Sequence, residues 1–321
     1  MKKFSITTIL LIILAIGAGL FYFEGSLPVN TKDTSKQIFI IEKGEGVNGI
    51  INNLAGKHLI RNKLVFFVLV KQLGIENNIQ AGDFRLSPSM SAKEIAKELT
   101  TGTLDIWVTV IEGLRTEEIA QIISRDFNLP ESEFITQAQE GTLFPDTYLI
   151  PKTASIGDIL AIFKANFDKK YNEELRIQAQ NNGFSDREVL TLASLVEREA
   201  NTEGSMRQVA SILVKRWKNG WPLQVDATVQ YILGYQEGEK TWWKASLSNQ
   251  DLAIDSLYNT YKRPGLPPGP ICSPGLTAIQ AVIGADENTP YWYYISNKDG
   301  SQMYYARTLE EHNTNIQKHL R

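Results

Sequence analysis

An apolar run at the start of the chain most constrains what the chain can form. Residues 4–23 read FSITTILLIILAIGAGLFYF and contain no charged side chain. At about 1.5 Å per residue, a run of this length matches the roughly 30 Å hydrocarbon core of a bilayer. Lys2 and Lys3 precede it, so the positive-inside rule places the N-terminus in the cytoplasm and the rest outside. The sequence predicts a transmembrane anchor over residues 1–24 and a linker over residues 25–36.

A cleaved signal peptide is the alternative interpretation of this run. The hydrophobic region of a signal peptide normally spans about 7–15 residues and is followed by an Ala-x-Ala-like cleavage site. The run here is longer and ends in Phe21, Tyr22 and Phe23, which suit the aromatic belt at a membrane interface. A retained anchor is therefore the preferred interpretation.

The composition of the 321 residues excludes several classes of protein. The 33 Lys+Arg and 36 Asp+Glu leave a net charge of −3, which gives no general attraction to nucleic acid. A hydrophobic fraction of 43% is too high for a disordered chain. The single Cys272 and three scattered histidines argue against a disulfide or a metal site. We expect no metal and no cofactor, and chemistry that rests on carboxylates, hydroxyls and amides.

Residues 37–102 predict a small module that mixes short strands with short helices. A strand-like run at 38–41 is followed by apolar residues at helical spacing, and a capping box stands at Ser91 and Glu94. A similar order of strand, turn and helix returns at 83–99 and 107–123. These segments are either loose copies of one small unit or ordinary βα units that look alike. The functional interpretation is a glycan-binding module of the LysM type, which also packs short helices on a short hairpin. The spacing does not decide between these interpretations.

The helix predicted after Ser185 carries the candidate catalytic groups. Ser185 and Glu188 form a second capping box before the run VLTLASLVEREA. At 100° per residue, Glu197 and Glu199 fall at the two borders of the apolar stripe, and Arg198 points to solvent. A carboxyl at an apolar border has a raised pKa, as general acid catalysis near neutral pH requires. Both glutamates could equally extend into water and form ordinary ion pairs, and periodicity does not choose between them.

Polar and aromatic groups follow this helix in three short phrases. Gln224 and Asp226 stand in the run LQVDAT, and the run YNTY covers residues 258–261. Residues 265–271 read GLPPGPI, which predicts a rigid, irregular loop. Loops of this kind often hold binding groups, although each one alone is also consistent with a purely structural turn.

Taken together, residues 37–321 resemble the endolytic murein transglycosylases, the YceG-like family. Five phrases carry the resemblance: LASLVERE at 192–199, LQVDAT at 223–228, YNTY at 258–261, GLPPGPI at 265–271 and Glu311-His312-Asn313. The resemblance implies an α+β protein with a transmembrane helix, a LysM-like module over residues 37–102 and a mixed α+β catalytic domain over residues 103–321.

The resemblance also implies an activity and the residues that perform it. The first glutamate of the Glu-x-Glu pair, Glu197, is the catalytic residue of the family pattern. The substrate contacts that it implies are Gln224, Asp226, Tyr258, Asn259 and Tyr261. The expected reaction is lytic cleavage of the β-1,4 bond between MurNAc and GlcNAc with formation of a 1,6-anhydro ring, on nascent glycan strands whose elongation it would terminate.

The expected location is the cytoplasmic membrane, with a single span, a cytoplasmic N-terminus and an extracytoplasmic catalytic domain. The expected partners are peptidoglycan strands and the bilayer, with cell-wall synthases as candidates. Two alternatives stay open: a muramidase that adds water, with Asp226 as a second carboxylate, and a non-catalytic peptidoglycan-binding scaffold. Two departures from the family pattern are Ala227, where many members have Pro, and Met303, where His is common.

Overall fold

The computed structural model describes residues 6–42, 44–101, 105–297 and 300–320, without the side chains of residues 6, 7 and 9. The chain divides into two compact units, Met1–Ile106 with Pro151–Thr153 and Trp107–Ile150 with Ala154–Arg321. The predicted lysine pair at 2 and 3 and the predicted boundary between 102 and 103 lie outside the described residues.

Helix α1 (Ile6–Ser26) occupies most of the apolar run. Its large side chains between Leu10 and Phe23 are mostly exposed. No helix among the described residues is both long and apolar enough to cross a membrane. The end of α1 is tied to the rest of the first unit, because Arg61 forms a 2.6 Å ion pair with Glu24.

The predicted linker is also held by hydrogen bonds. The guanidinium of Arg61 donates to the Pro28 carbonyl at 2.6 Å, and Asn30 donates its N–H to the Pro88 carbonyl at 3.0 Å. The Ser87 hydroxyl donates to the Asp33 carbonyl. Residues 28–33 therefore follow the surface of the first unit, which the polar composition of this segment did not indicate.

Within its described residues, the first unit contains a pair of antiparallel strands and three further helices. The elements are β1 (Gln37–Ile41), α2 (Val47–Gly56), α3 (Lys63–Leu73), β2 (Gly82–Leu86) and α4 (Ala92–Glu98). Phe39 and Phe84 are partners in the β1–β2 register and are buried in the core of the unit. Local signals set its helix ends: Gly74 closes α3 in the left-handed region, with φ of 65°, and the predicted Ser91–Glu94 capping box is confirmed.

The rest of the described chain is mainly helical, with two small sheets. Its elements are β3 (Asp105–Val110), α5 (Thr116–Phe127), α6 (Glu131–Gln137), β4 (Asp146–Pro151), α7 (Ile156–Lys170), α8 (Glu173–Asn181), α9 (Asp186–Glu199), α10 (Glu203–Lys218), α11 (Asp226–Leu233), α12 (Asn249–Leu252), α13 (Leu276–Ile283), β5 (Tyr293–Ser296), β6 (Met303–Ala306) and α14 (Leu309–His319). β3 pairs with β4, and β5 pairs with β6 in an antiparallel hairpin. The expected mixed α+β class is confirmed.

Helix α9 is the central helix of the second unit. It packs against α10 and α13, and every residue from Val189 to Val196 is buried. The predicted capping box of Ser185 and Glu188 begins it. The sequence predicted one apolar stripe, whereas α9 is surrounded along most of its length.

Candidate functional site

Helix α9 ends just after the Glu-x-Glu pair. Ala200 adopts an extended conformation, with φ of −146° and ψ of 146°, and Thr202 then caps α10. Glu197, Arg198 and Glu199 therefore form the last turn of α9, and their side chains leave it in different directions.

Glu197 faces the start of helix α13. Its Oε2 accepts the Gly275 N–H at 2.9 Å, and the Glu112 side chain lies directly against Gly275. Burial raises the pKa of Glu197 to about 7, the Gly275 hydrogen bond opposes this shift, and the Glu112 charge adds to it. This carboxyl caps a helix N-terminus, where a negative charge is favourable.

Arg198 does not point to solvent, which corrects the prediction from helical periodicity. Its guanidinium lies over the ring of Trp243, 3.9 Å from the centroid. Its Nε is buried and has no hydrogen-bond acceptor in the described part of the chain. The prediction was wrong because the segment between α11 and α12, which carries Trp243, covers this face of α9.

Glu199 faces a cavity of about 500 Å³, which we call the main cavity. Its described lining residues are Glu199, Arg216, Gln224, Asp226, Tyr261, Tyr293, Tyr294, Ile295, Ser296, Met303, Leu309, His312 and Leu320. The Tyr294 hydroxyl hydrogen-bonds to the Glu199 carboxyl. Burial raises the pKa of Glu199 to about 7, so the group can hold or release a proton near neutral pH.

Three of the predicted substrate contacts, Gln224, Asp226 and Tyr261, line the main cavity with Glu199. Thr260 brings their two sequence phrases together: its Oγ1 accepts the Val225 N–H at 3.0 Å and its carbonyl accepts the Gln224 N–H at 3.2 Å. The Tyr261 hydroxyl donates to Asp226 Oδ1.

Gln224 adopts a left-handed backbone conformation, with φ of 54°. A residue with a β-carbon pays a steric cost of about 1–2 kcal/mol there. Its side chain is exposed to the cavity while the flanking Leu223 and Val225 are fully buried. Unfavourable backbone conformations of this kind are concentrated at functional sites.

The other two predicted contacts lie elsewhere. Asn259 is fully buried, and its side chain donates to the carbonyls of Leu252 and Ile254 and accepts the Tyr261 N–H. This side chain supports the Tyr261 backbone and does not line the main cavity. Tyr258 lines a separate cavity of about 540 Å³ with Glu140 and the 268–270 loop.

Sequence reasoning assigned no role to two further lining residues, Arg216 and Tyr294. Arg216 is a buried cation whose Nε donates to the Trp292 carbonyl at 2.8 Å and whose Nη1 donates to the Leu223 carbonyl at 2.7 Å. It contributes positive charge close to Glu199, which lowers the pKa of that carboxyl against the larger effect of burial. Neither residue stands in the phrases that carried the family resemblance.

His312 is another lining residue to which the sequence assigned no role. The Glu311-His312-Asn313 phrase contained it, but the phrase alone indicated no role. Its ring stacks on Tyr293, with centroids 5.1 Å apart, and its Nδ1 is buried without a hydrogen-bond partner among the described residues. Burial, assisted by the Arg216 charge, lowers the pKa of His312, so the imidazole is neutral at physiological pH.

The site is thus a polar cleft around one carboxyl that can hold a proton, and comparison with known proteins agrees with the resemblance. The YceG-like family model matches residues 39–318. The chain belongs to this family, and the predicted resemblance is confirmed.

Curated relatives and a solved structure extend the comparison. A Bacillus subtilis (strain 168) protein named endolytic murein transglycosylase is 30% identical, with 96% of this chain and 91% of the relative covered. A protein of the same name from Streptococcus pneumoniae serotype 2 is 27% identical, over 99% of this chain and 65% of the relative. A crystal structure of a yceG-like protein from Listeria monocytogenes matches with a TM-score of 0.59 and 27% identity, covering 87% of this chain and 98% of that one. The named relatives belong to the enzyme class that the sequence predicted.

Proposed function

We propose that this chain is an endolytic peptidoglycan transglycosylase and that Glu199 is its general acid and base. The observation that carries the proposal is the position of the Glu199 carboxyl. Its pKa is raised to about 7, and it faces a cavity lined by the hydroxyl, amide and carboxyl groups of Tyr261, Gln224 and Asp226. Such a group can protonate a leaving oxygen near neutral pH.

The proposed reaction needs only one carboxyl. Protonated Glu199 gives its proton to the glycosidic oxygen between MurNAc and GlcNAc, and the bond from that oxygen to the MurNAc anomeric carbon breaks. The Glu199 carboxylate then takes the proton of the MurNAc C6 hydroxyl, whose oxygen forms a bond to the same anomeric carbon. The 1,6-anhydro ring closes without water, and the nucleophile has the entropic advantage of an intramolecular group.

The surroundings of the two glutamates favour Glu199 over Glu197. Glu197 already accepts the N–H of Gly275 at 2.9 Å and is not among the residues that line the main cavity. Glu199 lines that cavity together with three of the residues for which the sequence predicted substrate contacts. We therefore assign the catalytic role of the Glu-x-Glu pair to its second member, whereas the family pattern implied the first.

A water-adding muramidase is the second candidate, because Asp226 supplies another carboxyl in the same cavity. Ordinary glycosidases use two carboxyls, one as acid and one as base or nucleophile. The Asp226 carboxyl accepts a hydrogen bond from Tyr261, which occupies one of its oxygens and favours an orienting role.

Mass spectrometry of products from purified sacculi tests the reaction. Lytic cleavage yields 1,6-anhydro ends, which are lighter than hydrolytic reducing ends by one water. Anhydro ends support the proposal, and reducing ends support the muramidase. Absence of cleavage by the folded chain supports a binding scaffold.

We also propose that the chain is attached to the cytoplasmic membrane. The support for this attachment is the uncharged run at 4–23 and the exposure of its apolar side chains from Leu10 to Phe23. The chain should remain in the membrane pellet after alkaline carbonate extraction, and a chain that lacks residues 1–24 should not. Recovery of the full chain in the soluble fraction would contradict the anchor.

We also propose that the first unit binds glycan as a LysM-like module. Two helices, α2 and α3, lie between its paired strands in the chain. The proposed substrate is the nascent glycan strand beside cell-wall synthases, and its cleavage would end elongation. Pull-down with insoluble peptidoglycan by residues 37–102, made as a separate fragment and checked for folding, tests the binding role. A folded fragment that stays in solution would contradict it.

A further inference from the structure

The Glu199 carboxyl borders a second cavity besides the main one. This side cavity has a volume of about 370 Å³, within the usual range for ligand sites, and its described lining contains Arg198, Glu199, Ala200, Asn201, Thr202, Ser205, Ser296, Gly300, Ser301, Gln302, Met303 and Tyr305. Glu199, Ser296 and Met303 also line the main cavity. The two cavities therefore meet at the proposed acid.

The β5–β6 hairpin forms the shared wall. Ser296 and Met303 are directly opposite each other in the antiparallel register, so one cross-strand pair separates the two spaces and stands next to Glu199. Tyr294, two residues before Ser296, faces the main cavity, whereas Gln302, next to Met303, faces the side cavity. A chain-like ligand that passes across this pair would place one of its bonds at the Glu199 carboxyl.

The lining of the side cavity suits a sugar ring. It offers the hydroxyl of Ser296, the amides of Asn201 and Gln302 and the ring of Tyr305, whereas the Ser205 hydroxyl already donates to the Thr202 carbonyl. The Asn201 side chain is exposed and makes no hydrogen bond within the described part of the chain, so its amide can bind a ligand without losing a protein partner. Hydroxyl and amide groups fix the orientation of an N-acetylated sugar through hydrogen bonds.

We propose that the side cavity is a second glycan subsite, which binds an N-acetylated sugar further along the strand than the one that carries the scissile bond, on the opposite side of Glu199 from the main cavity. This inference rests on the proposed function and deepens it. A cleft that continues on both sides of its acid lets a strand pass through, so the enzyme cuts bonds inside strands and not only at their ends. The side cavity would bind the part of the strand beyond the cleaved bond, which internal cleavage requires.

Asn201→Trp tests the subsite, because the larger side chain fills the cavity without removing a hydrogen bond of the fold. Peptide-free glycan strands of defined length are the substrate, and the length distribution of the products is the readout. We expect the variant to lose internal cleavage of long strands by 10-fold or more in kcat/KM and to release mainly short end fragments. Asn201→Ala should lower kcat/KM on long strands about 3-fold while leaving short oligosaccharides unaffected.

Asn249 provides the matched control, since it is an exposed asparagine on α12 outside both cavities, and its side chain likewise has no hydrogen bond among the described residues. Asn249→Trp should cut like the parent, and all variants should unfold at the parental temperature. Parental product lengths from Asn201→Trp, or an equal loss on long and short substrates, would overturn the subsite. Failure of the parent to cleave any strand would instead overturn the proposed function, and the subsite with it.

Discussion

Glu197 and Glu199 lie two residues apart on one helix, and burial raises the pKa of each to about 7, yet their surroundings differ. Glu197 accepts a backbone N–H at the start of α13 and lies near Glu112, whereas Glu199 receives the Tyr294 hydroxyl and borders two cavities. A raised pKa therefore does not identify a catalytic carboxyl. Access to a substrate-sized space separates the two.

The largest expected effect is on activity, and it applies to Glu199 alone. Glu199→Gln removes the transferable proton but keeps the shape of the side chain, so kcat/KM for glycan cleavage should fall by about 10³-fold. The Tyr294 hydroxyl can still donate to the amide oxygen, so the fold should be preserved. Steady-state cleavage assays with a circular-dichroism check measure both. If Glu199→Gln kept more than about one-tenth of the parental rate, Glu199 would not be the general acid.

The next effect is on stability and should be shared by the two glutamates. Each has a folded pKa of about 7 against an ordinary value of 4.5, so the folded state binds more protons between these values. The stability that comes from the neutral carboxyl is complete below about pH 4.5 and is lost as the pH rises through 7.

A glutamine side chain does not ionise, so a glutamine variant does not lose this stability as the pH rises. Between pH 4.5 and pH 8, the unfolding free energy of Glu197→Gln or Glu199→Gln should gain on the parent by on the order of 1–3 kcal/mol. Urea unfolding at the two pH values measures the change. A constant difference between parent and variant would show that the carboxyl has an ordinary pKa.

A third effect separates the structural role of Glu197 from its charge. Glu197→Ala removes the acceptor of the Gly275 N–H and should lower the unfolding free energy by about 1–2 kcal/mol. Glu197→Gln keeps an oxygen acceptor and should cost less than about 0.5 kcal/mol at pH 7. Chemical denaturation of both variants provides the measurement. Equal stability of the two variants would mean that the hydrogen bond contributes little.

The smallest effect concerns how the Glu199 cleft is organised. Tyr261→Phe removes the hydroxyl that donates to Asp226 but keeps the ring, so kcat/KM should fall about 3- to 10-fold. Tyr258→Phe is the matched control, because Tyr258 lines the other cavity with Glu140. A larger loss of kcat/KM for Tyr258→Phe than for Tyr261→Phe would mean that the substrate binds in the cavity beside Glu140 and not in the main cavity.

Much of the fold could be predicted because its signals are local. Ser91 and Ser185 each cap a helix three residues before a glutamate, and Gly74 ends α3 in a conformation that glycine adopts readily. The sequence predicted that only one face of α9 is buried, whereas α10, α13 and the segment carrying Trp243 surround the helix. Neither the length nor the spacing of α9 indicates that these distant segments return to cover it.

The sequence predicted which short segments contribute to the site, but not which of their side chains face the main cavity. Tyr258, Asn259 and Tyr261 stand within four positions of one another, yet Tyr261 lines the main cavity, Tyr258 lines the cavity beside Glu140, and Asn259 is buried. The choice between Glu197 and Glu199 depends on Gly275 and Tyr294, which are 78 and 95 residues further along the chain. Helical periodicity contains no information about either contact.

The pH dependence of kcat/KM in Glu197→Gln tests the central claim most directly. With Glu199 as the acid, this variant should cleave glycan at close to the parental rate, and its activity should still decline as the pH rises past about 7, where Glu199 loses its proton. A loss of activity near 10³-fold at every pH, with the fold intact, would contradict the account and return the catalytic role to Glu197.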